Sequence, residues 1–232
     1  AAEKAGLRLL RAPVPRLRHV LLLGLALGAA LLSKASALVM IPVAGLAVLY
    51  AAHKGPSTLR RMLVWGSILL AVALLVAGWW YVRNAYLLDG DLTGTAVHIE
   101  KWGRRRRALT AEDLRLEIQG LEESYWAVFG LNSIPIARWV NLILFGVDRL
   151  TVLGALVLIA RQWTARRLPR ETQWGLLLLG LWALGNLASL FYWMYLMKGV
   201  NLGRLLYPAL PAFSLFIVLG LWQLDRAELK EG

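Results

Sequence analysis

The sequence predicts an all-α membrane protein with about six transmembrane segments, and three observations lead to that fold class. Of the 232 residues, 59% are hydrophobic and only 17% are charged, whereas a soluble domain has about 45–50% and about 25%. The apolar residues are gathered in runs of the length that spanning helices need. This composition excludes disorder, and the absence of cysteine excludes a disulfide scaffold and any thiolate-ligated metal site.

Six apolar segments account for this composition. A spanning helix needs about 20 residues, and the last four segments satisfy that length. The first two are shorter and are separated by Ser33-Lys34-Ala35-Ser36. We therefore predict a helical hairpin with Lys34 at its tip, and a single kinked span is the alternative. The segments are residues 20–33, 37–52, 62–82, 139–160, 174–196 and 205–224, and we assign them to a single membrane domain.

Charge asymmetry predicts how these segments are oriented. If the hairpin forms, one face carries 14 of the 26 lysine and arginine residues, and such residues favour the cytoplasmic side. We therefore expect a multi-pass membrane protein with both termini in the cytoplasm and membrane lipids as neighbours. The residues of that face are Lys4, Arg8, Arg11, Arg16, Arg18, Lys54, Arg60, Arg61, Arg161, Arg166, Arg167, Arg170, Arg226 and Lys230.

The opposite face carries one long loop, residues 83–138, which contains 8 of the 14 acidic residues. The loop also contains Arg104-Arg105-Arg106-Arg107. We interpret this run as a solvated charge run that the acids nearly neutralise, and we expect no nucleic acid as partner. Within the loop, Thr110-Ala-Glu-Asp113 has the pattern of a capping box and predicts a helix through about Leu121.

Several cations fall at one predicted depth, the outer interface. Lys34 lies at the hairpin tip, Arg83 ends the third segment, and Lys198 and Arg204 flank the last outer loop. Arginine binds phosphate through two parallel hydrogen bonds and lysine acts as a point charge, so these cations suit the phosphate of a lipid carrier. The alternative is that they are snorkelling anchors at helix ends.

Asp148 and Arg149 lie within a predicted span, where charges are costly and are functional candidates. Because they are adjacent on a helix, they point in different directions and need different partners. A functional and a structural role are equally open for this pair. We expect no metal site, since His98-Ile-Glu100 offers two ligands and a site needs three or four.

Four stretches follow one another in an order typical of a known family. They are Gly24 to Pro42 with its break at Ser33-Lys34, Ala77-Gly-Trp-Trp-Tyr-Val-Arg-Asn84 followed by Asp89-Gly-Asp91, Ser124-Tyr-Trp-Ala-Val-Phe-Gly130, and Gly203-Arg-Leu-Leu-Tyr207-Pro-Ala-Leu-Pro211. Together they resemble the GT-C membrane glycosyltransferases, in the branch of the protein-O-mannosyltransferase-like and aminoarabinose-transferase-like proteins with its uncharacterised bacterial subgroup. The resemblance covers about residues 20–220, and it implies the inner membrane of a bacterium.

This resemblance implies transfer of a sugar from a polyprenyl-phosphate donor to an extracytoplasmic acceptor, without a cofactor. It places the lipid phosphate near Lys34, Arg83 and Arg204. The family's tyrosine after Gly-Arg is Leu205 here, and Tyr207 is the candidate to replace it. Further candidate members of the site are Lys198, Asp91, Asp148 and Arg149.

The resemblance also implies that the catalytic acid is not in this chain. The first apolar segment matches a middle helix of the family, so we expect a C-terminal part of a longer glycosyltransferase. Two other functions stay open from the residues themselves. One is a transporter or flippase for a lipid-linked glycan, and the other is a non-catalytic membrane subunit.

Overall fold

The computed structural model describes residues 16–54, 58–126, 128–129, 134–165, 168–200 and 202–228. Nearly all of this part of the chain is helical. The helices are α1 (Leu17–Ser33), α2 (Met40–His53), α3 (Thr58–Leu87), α4 (Thr95–Trp102), α5 (Ala111–Trp126), α6 (Arg138–Thr164), α7 (Arg170–Leu196) and α8 (Leu210–Glu228), with 3₁₀ turns at Ala35–Val39 and Gly203–Ala209. A two-residue antiparallel pair joins β1 (Val128–Phe129) to β2 (Ile134–Pro135).

Five helices of the described residues are long and apolar enough to cross a membrane. The apolar helix α1 is shorter, at 17 residues, or about 25 Å. The predicted class is confirmed: this is an all-α, multi-pass membrane protein. The five candidate spans are Ala35–His53, Thr58–Leu87, Arg138–Thr164, Arg170–Leu196 and Gly203–Gln223.

The structure corrects the bounds of the third segment and of the loop that follows it. The segment predicted at 62–82 is α3, which runs from Thr58 to Leu87 and therefore contains Arg83. Apolar runs mark only the lipid-facing part of a helix, whereas the polar residues at its ends keep helical geometry and reach the interface. The loop predicted at 83–138 is thus residues 88–137, and it contains α4 and α5.

The described residues form two compact units. The first lies within residues 1–102 and 170–185, and the second within residues 103–169 and 186–232. The division passes through α7. A single membrane domain stays a prediction, and the two units are described separately below.

In the first unit, α1 and α3 pack closely and run parallel. A Cβ atom on Gly24 would lie 2.9 Å from Cβ of Val72, and one on Gly28 would lie 2.6 Å from Cβ of Val76. The same four-residue step on both helices requires that they point in the same direction. Small residues permit this close approach of two membrane helices.

The parallel arrangement of α1 and α3 bears on the predicted hairpin. The hydroxyl of Tyr81, near the end of α3, donates a hydrogen bond of 3.0 Å to the carbonyl of Leu31, near the end of α1. The intervening helix α2 must therefore run back to the start of α3. This agrees with a hairpin that reverses at Lys34 and disagrees with a single kinked span.

Helix α7 runs antiparallel to α2 in the same unit. At its start, Glu171 forms an ion pair of 3.1 Å with Lys54, just after α2. Further along, Gly185 packs so tightly on Val39, just before α2, that a Cβ atom there would overlap the valine side chain. The start of α7 therefore lies at the same end of this unit as the predicted cytoplasmic residue Lys54. Of that predicted face, residues 1–15, 166–167 and 229–232 lie outside the described residues.

In the second unit, α6 and α8 cross at two glycines. A Cβ atom on Gly154 would lie 3.0 Å from the carbonyl oxygen of Gly220, and one on Gly220 would overlap the backbone of Thr151. A separate apolar cluster joins α5 to the end of α7 and to the second 3₁₀ turn. Its buried members are Leu121, Leu190, Met194 and Leu206.

Candidate functional site

Helix α5 begins at the predicted capping box. The Thr110 hydroxyl accepts a hydrogen bond of 3.1 Å from the Asp113 amide, and the Asp113 carboxylate accepts one of 3.2 Å from the Thr110 amide. The Thr110 hydroxyl and amide, assisted by Arg107, lower the pKa of Asp113 from 3.8 to about 2. The prediction of a helix start here is confirmed, and the helix continues to Trp126 instead of ending near Leu121.

The arginine run before α5 contains one fully buried guanidinium. Arg105 donates to the carbonyls of Met194 (2.9 Å) and Met197 (3.2 Å), at and just after the end of α7. Its Nη2 also lies 3.0 Å from Oε1 of Glu117 and its Nη1 lies 3.5 Å from Oδ2 of Asp113. A buried charge is tolerated when it is paired and hydrogen-bonded in this way. Arg105 is therefore a structural residue of the second unit.

Two side chains of α5 bind the backbone after α7, at Gly199 and at Gly203. Oε1 of Glu117 accepts a hydrogen bond of 2.9 Å from the amide of Gly199, and the hydroxyl of Ser124 accepts one of 2.8 Å from the amide of Gly203. Glu117 and Ser124 are seven residues apart, so they lie on one face of α5 two turns from each other, with Leu121 between them. The position of the segment that carries Lys198 is therefore set by α5.

Two of the four stretches singled out in the sequence contact each other in this unit. Gly203 packs so closely on the backbone of Tyr125 that a Cβ atom would overlap it. The Tyr207 hydroxyl donates a hydrogen bond of 3.3 Å to the carbonyl of Tyr125, and the two rings meet edge to face at 6.1 Å. Burial, together with the nearby Asp148 and Tyr207, raises the pKa of Tyr125.

Tyr207 and Leu205 occupy different environments in the turn after Gly203. Leu205 packs against the apolar cluster of Leu121 and Leu206, whereas Tyr207 keeps 48% of its surface exposed. Arg204 is exposed as well, and it forms no ion pair with the side chains that the structure describes. Arg204 and Tyr207 are thus the residues of this turn that a ligand can reach.

The charged pair within α6 has partners on α5. The indole Nε1 of Trp126 donates a hydrogen bond of 2.7 Å to Oδ2 of Asp148, and Arg149 forms an ion pair with Glu122. Asp148 and Arg149 therefore bind different residues, because neighbouring side chains on a helix point in different directions. Of the two roles left open by the sequence, these contacts favour the structural one, in which the pair fastens α5 to α6.

The other two stretches contact each other in the first unit, where the Tyr81 hydroxyl donates its hydrogen bond to the carbonyl of Leu31. Lys34 follows Leu31 by three residues and Arg83 follows Tyr81 by two, so both cations lie at the same end of this unit. Lys34 is partly buried at the helix break, and Arg83 is exposed over the ring of Trp80, 5.1 Å from its centre.

Asp91 has a local role in the turn between α3 and α4. Its carboxylate accepts hydrogen bonds from the amides of Thr93 (3.2 Å) and Ala96 (2.6 Å) at the start of α4. Although burial acts in the opposite direction, these hydrogen bonds and that of the Thr93 hydroxyl lower the pKa of Asp91. The turn is held to α3 by Asn84, whose side-chain amide donates to the carbonyl of Leu92 at 3.2 Å.

The candidate residues thus fall into two groups, one in each unit. The first unit contains Lys34, Arg83 and Asp91, and the second contains Lys198, Arg204, Tyr207, Asp148 and Arg149. In the part of the chain that the structure describes, no three histidine, aspartate or glutamate side chains cluster as metal ligands would. The sequence did not indicate the contacts of Arg105, Glu117 and Ser124, because their partners include residues that are distant along the chain.

No protein-family model, curated protein or solved structure matches this chain.

Proposed function

We propose that this chain is part of a membrane glycosyltransferase that binds a polyprenyl-phosphate-linked sugar and transfers the sugar to an acceptor outside the cytoplasm. The main support for this proposal is the contact between Ser124-Tyr125 and the turn Gly203–Tyr207. These two stretches are 79 residues apart along the chain, and both resemble stretches of the same enzyme family. Their association leaves Arg204 and Tyr207 accessible at one place.

The chemistry of these residues supports the proposal. When a sugar leaves a polyprenyl phosphate, negative charge develops on the phosphate, and a guanidinium stabilises that charge through paired hydrogen bonds. Arg204 supplies the guanidinium in this proposal, and the Tyr207 hydroxyl supplies a neutral donor beside it. Lys34 and Arg83, which lie in the first unit, are the other two cations that the resemblance implies for a lipid phosphate. The general base that activates the acceptor comes from outside these residues.

The cellular location belongs to the same proposal. In this proposal both termini lie in the cytoplasm of a bacterium, and the loops that contain Lys34 and Arg204 lie on the outer side of the inner membrane; the lysines and arginines that flank the spans support this orientation. The lipid-linked donor would then reach the cations from the outer leaflet. This arrangement suits an acceptor in the cell envelope.

The proposal is tested by binding of undecaprenyl phosphate to the full-length native protein in detergent. Binding is measured as thermal stabilisation, with the uncharged polyprenol of equal chain length as reference. We expect Arg204→Gln to weaken binding about tenfold or more, because a hydrogen bond to a charged group contributes about 1.5–3 kcal/mol. Lys34→Gln and Arg83→Gln test the first unit in the same way.

The matched controls are Arg138→Gln and Lys101→Gln, which remove exposed cations from the second and first units and are expected to bind like the wild type. Equal binding by all five variants would show that the cations are helix-end anchors and would overturn the proposal. If the lipid binds through these cations but the full-length protein moves it across the membrane without transferring a sugar, the flippase alternative replaces the transferase.

A further inference from the structure

The position of Arg204 depends on the backbone that carries it. Its side chain is exposed and forms no ion pair with the side chains that the structure describes. A long side chain binds a phosphate more tightly when the backbone beneath it is already fixed, because less conformational freedom is then lost on binding. The contacts on either side of Arg204 in the chain therefore matter for the proposed site.

The residue before Arg204 is fixed by helix α5. The amide of Gly203 donates a hydrogen bond of 2.8 Å to the hydroxyl of Ser124, and that hydroxyl donates one of 2.6 Å to the carbonyl of Gly120. A hydroxyl has one proton and two lone pairs. A proton directed at Gly120 therefore leaves the oxygen of Ser124 as an acceptor for Gly203. The close approach of Gly203 to the backbone of Tyr125 allows this geometry, because glycine has no side chain there.

The turn that contains Arg204 is fixed at its other end as well. The amide of Leu205 donates a hydrogen bond of 2.9 Å to the carbonyl of Leu202, which closes the turn around Arg204. Further on, the Tyr207 hydroxyl donates a hydrogen bond of 3.3 Å to the carbonyl of Tyr125. Arg204 therefore lies between two contacts with neighbouring residues of α5.

Helix α5 is in turn held to the spanning helix α6, on either side of Ser124 in the chain. Glu122 forms an ion pair with Arg149, and the indole of Trp126 donates a hydrogen bond of 2.7 Å to Asp148. The hydroxyl of Ser124 thus has a fixed position relative to α6. A turn that is bound to Ser124 shares that position.

We propose that Ser124 is a positioning residue for Arg204. Its hydroxyl fixes the amide of Gly203 and thereby holds the Arg204 guanidinium where the phosphate of the lipid-linked donor binds. The inference rests on the proposed function, which supplies the ligand of Arg204. It assigns α5 a part in donor binding, although Ser124 acts through Arg204 and not on the ligand itself.

The test compares lipid binding by Ser124→Ala and by the wild type, in the full-length native protein in detergent. The probes are undecaprenyl phosphate and the uncharged polyprenol of equal chain length, each titrated with thermal stabilisation as the signal. We expect Ser124→Ala to bind undecaprenyl phosphate about two- to tenfold more weakly, which is the effect of losing one hydrogen bond. Binding of the polyprenol should be unchanged, because it has no phosphate for Arg204.

A double-mutant cycle then shows whether Ser124 acts through Arg204. In the Arg204→Gln background, Ser124→Ala should have no further effect on the binding of undecaprenyl phosphate, because the guanidinium that it positions is absent. A serine with a merely structural role would weaken binding by the same factor in both backgrounds, and it would weaken binding of the polyprenol too. Either of these results would overturn the proposal.

Thr164→Val is the matched control in the same unit. The Thr164 hydroxyl donates to the carbonyls of Ala160 (2.9 Å) and Arg161 (3.1 Å) in its own helix, as the Ser124 hydroxyl does in α5. Thr164 is exposed at the end of α6, so Thr164→Val should bind both lipids like the wild type. Equal losses in Ser124→Ala and Thr164→Val would show a general effect of removing a helix hydroxyl and would also overturn the proposal.

Thermal unfolding without lipid shows whether Ser124→Ala keeps its fold. If it does not, Ser124→Cys takes its place, since a thiol is only a weak acceptor and the same loss of binding is expected. The two proposals fail separately. Wild-type binding by Arg204→Gln would overturn the proposed function together with this inference. Weak binding by Arg204→Gln with wild-type binding by the Ser124 variant would overturn this inference alone.

Discussion

Nη2 of Arg105 lies 3.0 Å from Oε1 of Glu117, and both side chains are almost completely buried, with 2% and 9% of their surfaces exposed. The same Oε1 accepts the amide of Gly199. One carboxylate oxygen therefore joins the arginine run, helix α5 and the segment after α7. This contact explains why residues that are 82 and 12 positions from Glu117 in the chain take up a single arrangement.

The first prediction concerns this buried pair. Glu117→Gln should lower the free energy of unfolding by up to about 3–5 kcal/mol, because the buried Arg105 loses its nearer carboxylate and keeps only Asp113, at 3.5 Å. The measurement is thermal or denaturant unfolding of the protein in detergent. Arg115→Gln is the matched control on the same helix, since it breaks an exposed ion pair with Glu112, and it should unfold like the wild type. Equal stability of both variants would contradict a structural role for Glu117.

The second prediction concerns the close approach at Gly203. Gly203→Ala places a Cβ atom on the backbone of Tyr125, so the turn must move away from α5. We expect a loss of about 1–3 kcal/mol in unfolding free energy and weaker binding of undecaprenyl phosphate at Arg204. Gly146→Ala is the control, since a Cβ atom there meets no neighbour within 4 Å. In that helix alanine should leave stability unchanged or raise it by up to about 1 kcal/mol.

The third prediction concerns the packing of α1 on α3. Gly28→Ala should destabilise the first unit, because the new Cβ atom would lie 2.6 Å from Cβ of Val76. Val76→Ala in the same protein should restore part of the loss, with a coupling energy of about 0.5–3 kcal/mol in a double-mutant cycle. Gly45→Ala, where a Cβ atom meets nothing within 4 Å, serves as the control. Strict additivity of Gly28→Ala and Val76→Ala would argue against this contact.

The fourth prediction concerns acid stability. The pKa of Asp113 is lowered from 3.8 to about 2 in the folded protein, so the folded state binds that proton more weakly than the unfolded state does. The contribution of Asp113 to stability is therefore complete above about pH 4 and is lost as the pH falls towards 2.

The measurement for this prediction is the unfolding midpoint between pH 6 and pH 2. Asp113→Asn should show a smaller decrease over that range than the wild type. The decrease should not disappear, because the pKa values of Asp91 and Glu112 are also lowered and act in the same direction. Identical pH profiles for the variant and the wild type would contradict the assigned hydrogen bonds of Thr110.

Local features of the sequence were sufficient for the fold class and for several elements. Within the described residues, apolar runs identified each helix that is long enough to span the membrane, because transfer into lipid depends on composition over about 20 residues. The capping box at Thr110 and the reversal at Lys34 were also predicted, since both depend on a few neighbouring residues. The ends of α3 were missed because its polar ends carry no apolar signal.

By itself, the sequence determined the fold class, an all-α membrane protein. It also determined the position at which the hairpin reverses and the residue at which α5 begins. Only the tertiary structure decided which arginine of the run is buried. It also decided that Asp148 and Arg149 each bind a side chain of α5, and that the Ser124 hydroxyl binds the backbone just before Arg204. The physical reason is that burial and pairing of a charge depend on groups brought together from distant parts of the chain, such as Arg105 and Met194, which are 89 residues apart. The four arginines of the run are identical in the sequence, so only packing decides which of them is buried.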